Sequence, residues 1–135
     1  PIKGLELTEF SNLRDIIIAV PFGSSFNEEF DKDKRISTVH PRNYVNALKM
    51  LKNGQVDAVA GPILTLKFVG INEGMTANDF APPLILNQLE MMLVCNYGLS
   101  RGVRKRLKNT VIKLKSNGTI QSILDSYYGK SVIKR

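Results

Sequence analysis

Apolar positions along this chain alternate between two spacings. Ile16-Ile17-Ile18-Ala19-Val20 is an unbroken apolar run rich in β-branched residues, preceded by polar Arg14-Asp15 and closed by Pro21-Phe22-Gly23. It predicts a buried parallel strand. Ser24 or Ser25 is placed to cap a short helix through Phe26, Glu28, Glu29 and Phe30, whose glutamates complement the positive end of the helix dipole. Ile36 to Val39 is the next predicted strand. From Arg42 to Asn53, Tyr44, Val45, Leu48 and Leu51 recur at helical spacing, and Asn53-Gly54 supplies a left-handed ending. Val56 to Ala60 follows as a third strand.

A strand-helix-strand-helix-strand order implies right-handed crossovers and a parallel sheet, because each helix has to bury its apolar stripe against that sheet. The expected fold class is α/β, an open and mostly parallel sheet flanked by helices, with a C-terminal helical pair. Between these parts the pattern predicts a short helix near Leu64 to Val69, a turn at Asn72-Glu73-Gly74, and two late strands after Pro82-Pro83. Those strands are Leu84 to Leu86 and Leu89 to Cys95, one of them antiparallel. From Ser100 the chain reads as helical, with Gly118 ending one helix and Thr119 capping the next. The break at Asn96-Tyr97-Gly98 predicts a boundary, giving an α/β lobe over 1–96 and a hinge with helices over 97–135.

Residues at the carboxyl end of a parallel strand sit where open α/β sheets gather ligands, which makes Gly61-Pro62 a candidate site. Composition changes little in this picture: 43% apolar and 23% charged residues in a chain of 135 describe one ordinary domain with a core. No apolar run approaches the roughly 20 residues of a membrane helix. The chain starts at Pro1 with no basic leader and apolar segment behind it, so it is expected to be a processed product or a piece of something longer.

The net charge of +7 raises an anionic partner. Its densest part, Arg101, Arg104, Lys105, Arg106, Lys108, Lys113 and Lys115, shares one predicted helix with Val103, Leu107, Val111 and Leu114, so the basic groups fall outward as a solvated face. No aromatic residues interleave with them for base stacking, and nucleic acid is not expected. Cys95 is the sole cysteine and reads as a buried, inert thiol. His40 is the sole histidine and reads as a loop residue. Neither a metal cluster nor a catalytic triad can be assembled from one of each.

Three stretches carry a resemblance. Leu13-Arg14-Asp15 with Ile16 to Val20 and Gly23-Ser24-Ser25, then Ala47-Leu48-Lys49-Met50-Leu51-Lys52-Asn53-Gly54-Gln55-Val56-Asp57-Ala58-Val59, and finally Leu114-Lys115-Ser116-Asn117-Gly118-Thr119-Ile120-Gln121-Ser122-Ile123-Leu124 resemble the bacterial extracellular solute-binding proteins of family 3. These have the type 2 periplasmic binding fold. The resemblance implies a second lobe with the C-terminal helices, from a protein whose first lobe is absent. It implies a binding function, for an amino-acid-like or small anionic solute passed to a membrane transporter permease or a sensor, in the periplasm or outside the cell.

By the same resemblance the loop Pro21, Phe22, Gly23, Ser24, Ser25, Phe26 holds the ligand carboxylate at a helix N-terminus, together with Gly61 and Pro62 at the third strand. Gly23 allows close backbone approach, and Ser24 and Ser25 donate hydrogen bonds. Pro62 stands where amino-acid binders of the family carry the acid that receives the ligand ammonium, yet it offers neither charge nor an N–H. Asp57 lies near the strand start and reads as structural. Phe26 implies a less polar pocket wall.

No cofactor or metal is expected, and no catalysis, since the cleft loops offer only Glu28, Glu29 and His40 as acids or bases. A sensor or regulatory domain of a receptor kinase or cell-wall lytic enzyme, or a dehydratase-like enzyme, is the alternative on this fold. Without its first lobe, Leu107, Val111, Leu114, Ile120, Ile123 and Leu124 would present an apolar face. That face predicts packing against the chain's own lobe, a homodimer or a domain swap through the C-terminal helices.

Overall fold

The computed structural model describes residues 4–90 and 92–128. The chain divides into two compact units, Pro1–Gln88 and Leu89–Arg135. Among the described residues no helix is long and apolar enough to cross a membrane.

In the first unit the elements run β1 (Ile17–Ala19), α1 (Glu28–Lys32), β2 (Ser37–Val39), α2 (Tyr44–Lys52), β3 (Ala58–Val59) and α3 (Ile63–Asn72). The strands form one parallel sheet in the order β2-β1-β3. Ile18 stands opposite Thr38 on one side and Ala58 on the other. Asp57 fixes the start of this register: its carboxylate accepts the Ile17 N–H at 2.8 Å, and its own N–H donates to the Ile17 carbonyl at 2.9 Å. It has the structural role its position implied.

Side chains alternate across the sheet with a period of two. Ile16, Ile18, Val20, Ala58 and Ala60 pack on one face with Phe30 of α1. Ala19 packs on the other with Ala47, Leu48 and Leu51 of α2, joined by Val59 of β3 and by Leu66 and Val69 of α3. Both faces are therefore covered, which is why the strands read as apolar runs. Helix α2 starts where Asn43 accepts the Asn46 N–H and ends at Asn53, with Gly54 at φ +67° as the left-handed stop.

Two expectations for the first unit are corrected. Neither Ser24 nor Ser25 caps α1. Asn27 does, its side chain accepting the Phe30 N–H at 2.8 Å, because the Ser25 hydroxyl is drawn instead to the Asp31 carboxylate at 2.6 Å. Leu84 to Leu86 is not a strand. Its side chains Leu84 and Leu86 pack on the Ile18 face, and side-chain amides rather than a ladder hold its backbone. Asn27 donates to the Leu86 carbonyl at 2.7 Å, and Asn87 donates to the Phe26 carbonyl at 3.0 Å. Pro82-Pro83 just upstream lack the N–H groups a ladder needs.

The second unit holds α4 (Arg101–Ser116) and α5 (Thr119–Tyr128), which pack on one another. An Asn96 turn precedes them, its side chain taking the Gly98 N–H at 2.8 Å. The strand expected from Leu89 to Cys95 is not formed: its described residues make no ladder, Cys95 is half-buried rather than buried, and Met91 lies outside the described residues. Ser100 caps α4, whereas Thr119, expected to cap α5, is its first residue and gives both its N–H and its hydroxyl to the Asn117 side chain.

Candidate functional site

The order β2-β1-β3 means that the chain leaves β1 to one side, returns, and enters the sheet again on the other. The loops after β1 and β3 therefore lead from the carboxyl edge of the sheet to opposite faces, the topology at which open α/β sheets gather ligands. Both loops are anchored at their bases. Val20 N–H donates to the Val39 carbonyl at 2.8 Å, and Ala60 N–H to the Ala19 carbonyl at 3.0 Å, so pairing continues past the strand ends.

Beyond Val20 the chain turns sharply. Pro21 is buried, Gly23 takes φ +77°, and the Ser24 N–H closes the turn on the Pro21 carbonyl at 3.0 Å. A positive φ at the third turn position favours glycine, which explains Gly23. Phe22 projects outward at 83% exposure, while its N–H is held by the Pro41 carbonyl.

Tyr44, the first residue of α2, joins the two loops. Its hydroxyl lies 3.4 Å from Ser24 Oγ, and its ring covers Gly61 so closely that a Cβ there would stand 2.5 Å from Tyr44 Cε1. Sequence reading did not single Tyr44 out. The available signal was a glycine at the end of a strand with an aromatic residue opening the preceding helix.

The loop donors divide into committed and open groups. Asp31 accepts the Ser25 hydroxyl at 2.6 Å and the Phe26 N–H at 3.1 Å, so the protein's own carboxylate occupies two of the groups expected to hold a ligand. The Phe26 ring meets Phe30 edge-on at 5.7 Å and belongs to the core. At the other loop Pro62 is the N-cap of α3, and its side chain accepts nothing. The N–H groups of Ile63, Leu64 and Thr65 therefore lack a side-chain cap, and the positive end of the α3 dipole sits beside Gly61. Pro62 thus makes this loop more receptive to an anion than to an ammonium group.

A cleft of about 370 Å³ opens on the β2 side of the first loop, lined by Ser24, Ser25, Asp31, Thr38 and His40 among others. His40 Nδ1 lies 3.1 Å from the Val20 carbonyl, which can only accept, so that nitrogen carries a proton; Nε2 faces the Thr38 hydroxyl at 3.3 Å. Glu28 is ion-paired with Lys32. Asp33, at the end of α1, is fixed by hydrogen bonds from the Arg35 side chain and backbone and from Arg14. These bonds hold its carboxyl far below the usual carboxylate range. Among the described residues no group of three His, Cys, Asp or Glu side chains is placed to hold a metal ion.

Comparison with known proteins finds no family model that matches the chain, and no match among curated proteins or solved structures. The reading of the site therefore stands on its geometry.

Proposed function

We propose that the chain is a solute-binding module that takes an amino-acid-like or small anionic solute between the loops after β1 and β3. One observation carries this reading: the strand order reverses across β1, with β2 on one side and β3 on the other, and the loops after β1 and β3 carry hydroxyls and uncapped N–H groups. Gly23, Ser24, Tyr44, Gly61 and the first turn of α3 would meet the anion. Ser25 and Phe26 would support the loop through Asp31.

The resemblance to family 3 solute-binding proteins extends the proposal. The opposite wall of the cleft would come from a first lobe, and the solute would pass to a transporter permease or a sensor at the periplasmic or extracellular face. The acid and base beside the Pro21–Phe26 loop are committed to the protein itself, Asp31 to Ser25 and Phe26 and His40 to the Val20 carbonyl, which favours binding over catalysis.

Amide chemical shifts test the placement. Titration of the labelled chain with glutamate, succinate and phosphate should move the Gly23, Ser24, Gly61 and Ile63 resonances together. Shifts confined to other parts of the chain would contradict the site.

A further inference from the structure

Charge is distributed unevenly along this chain. Residues 89–135 hold ten of the nineteen Lys and Arg but two of the twelve Asp and Glu, so the second unit carries the whole positive excess. Within it α4 has seven basic residues and no acidic one. Every basic side chain of α4 is exposed, and none forms an ion pair among the described residues.

At 3.6 residues per turn, Arg101, Arg104, Lys105, Lys108 and Lys115 fall within an arc of about 100°, a stripe about 21 Å long. Ile112 lies within the same arc and is 55% exposed. Val103, Leu107, Val111 and Leu114 occupy a neighbouring arc that borders the stripe along the Arg104 edge, while the basic side chains themselves stay exposed.

We infer that this stripe docks the chain on an anionic lipid surface. A second copy would bring two stripes of like charge together, which costs energy at short range. Nucleic acid matches the charge, but the stripe offers no aromatic ring for base stacking, and it includes the exposed aliphatic side chain of Ile112. A folded protein partner is recognised through a mixed pattern of charges and hydrogen bonds, whereas this stripe presents one sign throughout. A fluid array of phosphate headgroups requires only charge density, tolerates an aliphatic side chain, and lets lysine and arginine stems spread along it. This inference is independent of the solute reading.

Vesicle co-sedimentation tests it with the full chain. Phosphatidylcholine vesicles containing about a third phosphatidylglycerol should bind the protein at low salt, pure phosphatidylcholine should not, and about 0.5 M salt should release it. Lys108→Glu with Lys115→Glu should weaken binding by about tenfold or more, and Lys108→Gln with Lys115→Gln by less, with helix content by circular dichroism unchanged. The control Lys34→Glu with Lys52→Glu has the same net charge change and should retain most of the binding. Equal loss in the control, no binding to the anionic vesicles, or tighter binding to duplex DNA than to them at the same salt would each overturn the inference.

Discussion

The Tyr44 ring lies so close to Gly61 that no side chain can be added at position 61 without moving it. This contact ties the start of α2 to the end of β3 and leaves the Tyr44 hydroxyl beside Ser24. Gly61→Ala is expected to cost about 1–3 kcal/mol, the usual range for overpacking. The cost should shrink when Tyr44 is replaced by alanine as well. A double-mutant cycle by urea denaturation measures that coupling, and strictly additive losses would show that the ring does not need the glycine.

Asp33 links stability to pH. Its folded-state pKa is depressed, first by the Arg35 side chain, then by the Arg35 N–H and by Arg14. A depressed carboxyl contributes stability that is fully present above the unfolded value near 3.9 and is lost as pH falls through the folded one. Wild type is therefore expected to lose stability progressively below about pH 4, and Asp33→Asn to be less stable at neutral pH with a flatter acid limb. Denaturation midpoints between pH 2 and 7, taken in steps of about one unit, report both.

Asn27 serves two segments at once, capping α1 through Phe30 and holding Leu86 through its amide. Asn27→Ala is expected to cost about 1–2 kcal/mol, more than Asn87→Ala, which removes a single bond to the Phe26 carbonyl. Hydrogen exchange should quicken at Phe30 in the first variant and stay slow there in the second.

The sheet was legible because its chemistry is local. An apolar run buried on both faces reads as a parallel strand wherever it lies, and Ile16 to Val20 and Val56 to Ala60 led to β1 and β3, although the ladders are shorter. The cap of α1 was not legible, since Ser24, Ser25 and Asn27 are all good capping types. What decided between them was Asp31, which accepts from Ser25 and leaves Asn27 to the helix. Leu84 to Leu86 has a strand's composition, but its backbone carbonyl at Leu86 is claimed by a side chain 59 residues away, which spacing does not reveal. Tyr44 was missed for the same reason: its place in the site is a tertiary contact with Gly61.

Asp31 also makes a prediction about binding. Its carboxylate satisfies the Ser25 hydroxyl and the Phe26 N–H, donors that a carboxylate solute would otherwise use. Asp31→Ala should strengthen binding of succinate or glutamate by about tenfold, near 1.4 kcal/mol, while lowering stability slightly. Unchanged affinity would mean that solute anions do not approach this part of the loop.

The central claim is that a small anion binds where β1 and β3 part. Titration calorimetry of the full chain with glutamate, succinate and phosphate tests it most directly, comparing wild type with the Ser24→Ala, Tyr44→Phe pair and with Lys52→Gln as a control far from the loops. Saturable binding of at least one of these solutes is expected, weakened about tenfold or more in the paired variant and unchanged in the control. Absence of binding to all three, or equal affinity in wild type and the paired variant, would contradict it.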